Sequence, residues 1–217
     1  MAQYAMPQDQ NVGTTGTDVV TRDARLAIPN MQAFAFTTII WGAVFAGFLI
    51  RPLATGLGLL AVVSFFGGIA LFLGGMHQST RENPEMGTFF ESYGVFLISL
   101  GALVAPTFGI SSALGSHLNV AVGFLFLTWT VFTILYMLTA MGTNPVWLGA
   151  LGLLALASLG VTLGLLINVP ILTLIGGWIA IASGLVAWYG MLSRLLEAGH
   201  SRLELPRGGF HHAPNIR

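Results

Sequence analysis

The sequence from Trp147 to Leu192 reads WLGALGLLALASLGVTLGLLI, then NVP, then ILTLIGGWIAIASGLVAWYGML. Neither long run contains a charged residue. Each has about the 20 residues that are needed to cross the roughly 30 Å hydrocarbon core of a bilayer. The short separator, Asn168 to Pro170, leaves room only for a tight turn. This stretch therefore predicts two antiparallel transmembrane helices.

The same pattern recurs along the chain, of which 55% is hydrophobic and only 7% is charged, compared with about 25% charged in soluble domains. Apolar runs separated by turn residues predict an all-α, polytopic membrane protein with six transmembrane helices. The six-helix domain is expected over residues 31–196. Its expected spans are about residues 33–50, 53–75, 88–110, 118–140, 147–167 and 171–192.

The distribution of arginine predicts the orientation of these spans. With six spans both termini share one side of the membrane, and seven of the eight basic residues fall on that side, the exception being Arg51. The positive-inside rule then places both termini in the cytoplasm, at the plasma membrane, which is the inner membrane in a bacterium. Residues 1–30 are expected to form a disordered cytoplasmic arm, and residues 197–217 a cytoplasmic tail.

Composition also excludes several functions. The chain has no cysteine and no net charge, so disulfides, thiolate catalysis and nucleic-acid binding are not expected. His77 and His117 lack partners at metal-ligand spacing, and no catalytic triad, phosphate loop or dinucleotide fingerprint is present. The sequence therefore predicts a protein that is not an enzyme and that holds no metal or cofactor.

Charge is concentrated at the start of the third span. Asn83 and Pro84 suit the N-cap and first helical positions, so the third helix is expected to begin there. Between Ala33 and Ser193 there are five charged residues, and four of them are Arg81, Glu82, Glu85 and Glu91.

Glu91 and Tyr93 lie further along this helix, at depths of about 10 and 13 Å if the rise is 1.5 Å per residue. A carboxylate at that depth faces protein or water, which makes Glu91 a candidate proton-linked or gating group. The alternative is that Glu91 extends to the membrane interface. Tyr93 offers a neutral hydroxyl and an aromatic wall for a narrow passage, or is an interfacial tyrosine.

Short motifs in a fixed register give a family resemblance. They are FGGIA at 66–70, SYG at 92–94, WTVFT at 129–133 and GGWI at 176–179. Over about residues 30–207 the chain resembles the acetate uptake transporter family, also called the acetate/succinate permeases.

This resemblance implies a six-helix protomer that assembles in the bilayer as a homo-hexamer. Each protomer would carry its own pore for acetate and related small carboxylates such as succinate, often with proton linkage. It also implies a hydrophobic constriction formed by Phe34, Tyr93 and a leucine. We assign the leucine to Leu151, with Leu148 as the alternative.

The sequence departs from the family pattern near this pore. The amino-terminal NPAPLG signature is replaced by residues 26–32, an acid after the second helix is replaced by Gln78, and Glu91 stands where a small hydroxylic residue is usual. The polar residues expected to line the pore are Thr37, Thr38, Glu91 and Ser92, and the hydroxyls among them could replace part of the hydration of a solute.

Three functions are compatible with these residues. A bare carboxylate costs of order 20 kcal/mol to move into a low-dielectric medium, so acetic acid, or acetate with a proton, is the expected cargo. Arg51 is expected to raise the local anion concentration at the outer mouth. The alternatives are a channel for neutral urea or short amides and a membrane scaffold that transports nothing.

Overall fold

The computed structural model describes residues 16–48, 53–80, 84–141 and 144–198. Seven α-helices contain most of these residues, and two single 3-10 turns precede and follow the short fourth helix. Six of the helical segments in the described residues are long and apolar enough to span a membrane, which confirms the predicted number. The helices are α1 (Gly16–Phe45), α2 (Leu53–Ser79), α3 (Pro84–Val104), α4 (Ile110–Leu114), α5 (Leu118–Ala140), α6 (Pro145–Leu166) and α7 (Pro170–Ala198).

Several helix boundaries differ from the predicted spans. α1 begins at Gly16, so the second half of the arm that was expected to be disordered is helical. This segment mixes polar and apolar residues, no glycine or proline lies between Gly16 and Pro29, and the helix continues through Pro29. α3 ends at Val104 instead of residue 110, because Pro106 opens a 3-10 turn.

α1 also ends earlier than expected, at Phe45 instead of residue 50. Gly47 adopts a left-handed conformation with φ of 62°. The N–H of Gly47 donates to the carbonyl of Val44, and the N–H of Phe48 to that of Ala43, both at 3.0 Å. These two bonds form a Schellman motif, which satisfies carbonyls that the bilayer cannot solvate.

The predicted hairpin of the last two spans is confirmed as α6 and α7. Asn168 takes the left-handed conformation at the end of α6, with φ of 55°, and the N–H of Val169 donates to the carbonyl of Gly164 at 2.9 Å. The start of α6 is capped by Asn144, whose side-chain oxygen accepts a hydrogen bond from the N–H of Val146 at 2.8 Å.

The six long helices form a closed ring. In order around the ring they are α1, α2, α3, α5, α6 and α7, and α7 packs against α1 again. α4 lies beside the end of α3. The centre of this ring is the hydrophobic core of the protein.

Glycines set the separation of most neighbouring helices. A Cβ on Gly160 of α6 would lie 3.0 Å from the Cα of Gly176 on α7, and a Cβ on Gly42 of α1 would lie 2.8 Å from the carbonyl oxygen of Gly177. The adjacent pair Gly176 and Gly177 thus lets α7 approach α6 and α1 together. Between membrane helices such close backbone packing is a main source of association, because lipid is as apolar as leucine.

We expect Gly176→Val to destabilise the folded protein by about 1–3 kcal/mol or more, because the new side chain meets the backbone of Ala157 and Val161. The matched control is Gly149→Val, a helical and exposed position where a Cβ meets nothing within 4 Å. The measurement is the free energy of unfolding in mixed detergent micelles. Equal losses in the two variants would contradict this account of the packing.

Candidate functional site

Aromatic side chains from four helices fill the centre of the ring. Phe34 of α1 and Tyr93 of α3 are fully buried, and their ring centroids are 4.8 Å apart. Trp129 of α5 lies 4.9 Å from Tyr93, and Trp147 of α6 lies 5.5 Å from Phe34. We call these four side chains, together with Phe89, the aromatic centre. Phe89 contacts Phe34, Tyr93 and Trp147 at 5.4–5.8 Å.

A group of hydrogen-bonded polar side chains lies against the aromatic centre. The hydroxyl of Tyr93 lies 3.1 Å from the Thr38 hydroxyl and accepts a hydrogen bond from the indole Nε1 of Trp41 at 3.4 Å. All three residues are buried. A tyrosine hydroxyl in a bilayer-spanning core requires such partners, because leaving it unbonded costs about 1–3 kcal/mol. α1 and α3 are therefore joined by polar contacts at the same level as the rings.

The structure brings together Phe34 and Tyr93, as the resemblance implies. Leu151 of α6 is also fully buried and belongs to the same hydrophobic core, whereas Leu148 is half-buried at its edge. Phe34, Tyr93 and Leu151 are thus all inaccessible to solvent.

The other polar candidates lie away from the Tyr93 hydroxyl. Thr37 donates to the carbonyls of Ala33 and Phe34 in its own helix, at 2.9 and 3.0 Å. Glu91 accepts a hydrogen bond from the Ser79 hydroxyl across the contact between α2 and α3.

Helix geometry explains the position of Glu91. Residues two apart on a helix point about 200° apart, so Glu91 faces α2 while Tyr93 faces the centre. Ser92 is half-buried beside it. Arg51 lies outside the described residues.

Gln78 occupies a buried position at the end of α2. It accepts a hydrogen bond from the Nδ2 of Asn30 at 3.0 Å, and both side chains are almost fully buried. Gly74 makes room for the Asn30 amide, since a Cβ there would overlap its oxygen. The amide pair joins α1 to α2 without a charge.

Sequence reasoning missed most of the aromatic centre, although a signal was present. Phe89, Tyr93 and Phe96 repeat at helical spacing on α3, and Trp129, Phe132 and Tyr136 do so on α5. Such i, i+3, i+4 and i+7 spacing places side chains on one face. The two sets stack on each other, with Phe96 and Trp129 4.6 Å apart at an interplanar angle of 13°.

A cavity of about 130 Å³ lies beside the aromatic centre, at the end of the ring where α3 and α6 begin. This volume is far more than the roughly 15 Å³ that one water needs. Its walls include charged and polar groups that sequence reasoning did not assign to the site. The lining residues are Glu85, Met86, Tyr136, Ala140, Asn144, Trp147 and Arg194.

The six spans and the core inside them define a multi-pass α-helical membrane protein. A sequence model of the GPR1/FUN34/yaaH family matches residues 25–211. The chain belongs to this family, and the resemblance noted in the sequence is confirmed.

Two relatives illustrate the match. The chain is 30% identical over 197 residues to the succinate-acetate/proton symporter SatP of Escherichia coli, covering 88% of this chain and 98% of that protein. It is 31% identical over 165 residues to accumulation of dyads protein 2 of Saccharomyces cerevisiae. That match covers 73% of this chain but spans only 56% of the yeast protein.

A solved structure of the bacterial acetate channel SatP has the same fold. The TM-score is 0.74 at 24% sequence identity, and the superposition covers 84% of this chain and 98% of the channel.

We expect the Tyr93 and Thr38 hydroxyls to be energetically coupled. In a double-mutant cycle with Tyr93→Phe and Thr38→Val, the coupling energy should be about 0.6 kcal/mol and at most about 1.7 kcal/mol, the average and the maximum for hydrogen bonds between membrane helices. The measurement is the unfolding free energy of the two single variants and the double variant in mixed micelles. Additivity within about 0.3 kcal/mol would show that the 3.1 Å contact contributes nothing.

Proposed function

We propose that the protein is a membrane channel or transporter for acetate and related small carboxylates, succinate among them. The solute passes through the centre of each six-helix ring, where Phe34, Tyr93 and Leu151 form the constriction. The observation that carries this proposal is the buried hydroxyl of Tyr93, bonded to Thr38 and Trp41 inside an aromatic wall.

The relatives support the choice of solute. The Escherichia coli relative, matched over nearly its whole length, is a succinate-acetate/proton symporter, and the solved structure of similar fold is an acetate channel. Both descriptions name small carboxylates.

The chemistry of the centre favours a solute that carries its own proton. The idealised cost of moving a bare carboxylate into a low-dielectric medium is of order 20 kcal/mol, which one hydroxyl pair cannot offset. Acetic acid has no net charge, and its carboxyl group can both donate to and accept from hydroxyls. The hydroxyls of Tyr93 and Thr38 and the indole N–H of Trp41 would then replace part of its hydration.

Proton linkage in this proposal does not require a titrating side chain at the constriction. Phe34, Tyr93 and Leu151 carry no carboxylate, and Glu91 contacts Ser79 between α2 and α3. The solute itself brings the proton across.

A channel for neutral solutes such as urea or short amides is the second candidate. It is favoured by the same observation, since a constriction of two aromatic rings and a leucine offers no counter-charge to an anion. Parallel transport of urea separates the two candidates.

We further propose a homo-hexamer in the plasma membrane, the inner membrane in a bacterium, with both termini in the cytoplasm. The orientation rests on the excess of arginine on the side of the termini. The arm and the tail would then be cytoplasmic, and Arg51 would lie at the outer mouth. The cavity near Glu85 would open toward the cytoplasm.

Removal of the Tyr93 hydroxyl should reduce carboxylate transport specifically. In liposomes with an inward proton gradient, we expect Tyr93→Phe to lower radiolabelled acetate influx by about two- to tenfold, since a hydrogen bond between uncharged groups contributes about 0.5–1.5 kcal/mol. Phe66→Ala is the matched control, because Phe66 is 67% exposed on the outside of the ring. If the wild-type protein transports urea but no acetate, the carboxylate proposal is contradicted.

Glu91→Gln should leave both the rate and the proton dependence of acetate influx unchanged, because Glu91 faces α2 and not the aromatic centre. The glutamine amide can still accept from the Ser79 hydroxyl. The measurement is acetate influx at a series of imposed pH gradients. Loss of the proton dependence in this variant would move proton linkage from the solute to Glu91.

A further inference from the structure

The cavity beside the aromatic centre has the position of a solute-binding site. Its wall includes Trp147, whose ring contacts Phe34 at 5.5 Å, and Tyr136, whose ring contacts Phe89 at 4.5 Å. A solute that leaves the constriction on this side therefore enters the cavity next. At about 130 Å³ the cavity has room for a small carboxylate together with water.

Two neutral donors of the cavity wall are poorly satisfied. The indole N–H of Trp147 is buried near the Tyr136 hydroxyl, but it meets no partner within hydrogen-bonding geometry among the described residues. The Tyr136 hydroxyl donates at 3.5 Å to the sulfur of Met86, which is a weak acceptor. Buried donors in this condition gain most from an oxygen ligand.

Two opposite charges line the same cavity. Arg194 comes from the last turns of α7, beyond the expected end of that span, and it is half-buried. Glu85 comes from the first turn of α3 and is exposed. A guanidinium is always charged and matches the geometry of a carboxylate.

We propose that this cavity is a binding site for the carboxylate form of the transported solute, with Arg194 as its counter-charge and Trp147 and Tyr136 as neutral donors. The proposal rests on the proposed function, because it adds a second site to the same pathway. At the constriction the solute is neutral. On entering the cavity, which is polar and has room for water, it releases its proton to water and is held as the anion.

Glu85 is expected to weaken the binding of an anion in the cavity. Its negative charge opposes a bound anion and weakens the attraction of Arg194, so the solute is held loosely. Transport requires such a balance, because a solute that binds too tightly does not leave. Removal of Glu85 is therefore expected to strengthen binding, and removal of Arg194 to weaken it.

The test is acetate influx into liposomes as a function of acetate concentration, with urea in parallel. We expect Arg194→Gln to raise the half-saturation concentration for acetate about tenfold or more. Tyr136→Phe should raise the half-saturation concentration less, and Arg194→Lys should change it little. Glu85→Gln should lower the half-saturation concentration, because binding becomes stronger. Arg202→Gln, a change of another arginine near the carboxyl end, is the matched control and should behave as the wild type.

Opposite shifts in Arg194→Gln and Glu85→Gln, with urea unaffected, would support the site, since a purely structural role would not move affinity in both directions. An unchanged half-saturation concentration in Arg194→Gln would overturn it, and so would equal losses of acetate and urea transport. If the wild type transports no acetate, the proposed function is contradicted, but the cavity site is not. Saturation-transfer NMR of the acetate methyl signal then still tests the cavity, because binding must be present in the wild type and absent in Arg194→Gln.

Discussion

The unequal spacing of helices around the ring is the constraint on which the rest of the structure depends. Lipid supplies no hydrophobic force between membrane helices, so the size of the residues at each contact sets how close two helices come. Gly42 with Gly177 and Gly160 with Gly176 let α7 approach both its neighbours. Between α3 and α5 the contacts are made by large rings instead, as in the pair Phe96 and Trp129. The glycine contacts are thus tight, and an aromatic wall fills the wider contact between α3 and α5.

This wall closes the centre, and a group of polar side chains lies against it. The rings exclude water and ions, and the hydroxyls of Tyr93 and Thr38 with the indole of Trp41 provide hydrogen bonds in the middle. A small neutral acid exchanges some of its hydration for these groups at low cost, whereas an anion does not. The charged groups lie away from the rings. Glu91 lies between α2 and α3, and Glu85 and Arg194 line the cavity. In the proposed pathway, the uncharged aromatic centre, where the solute is neutral, is therefore separate from the cavity, which suits its anion.

The sequence predicted the number of spans because bilayer thickness dictates the length of an apolar run, and the turn of Asn168 to Pro170 is visible in the residues themselves. The early ends of α1 and α3 depend on Gly47 and Pro106, whose roles follow from known termination rules but compete with apolar residues that continue past them. The pairing of Phe34 with Tyr93 came only from the resemblance, since nothing local relates α1 to α3. Helical periodicity predicts that Glu91 and Tyr93 lie on different faces of α3. The sequence does not predict the cavity, because Glu85 and Arg194 in its wall come from helices that are far apart in sequence.

The central claim is that solute passes through the aromatic centre inside each ring of six helices. Crystals of the protein soaked with bromoacetate, measured at the bromine absorption edge, would locate the solute directly. The account predicts an anomalous peak on the axis of the ring, with the carboxyl group within hydrogen-bonding distance, about 3 Å, of the Tyr93 hydroxyl, or on the path between it and the cavity at Arg194. Bromine found only on the outer surface of the ring, for example beside the exposed Phe66, would contradict it.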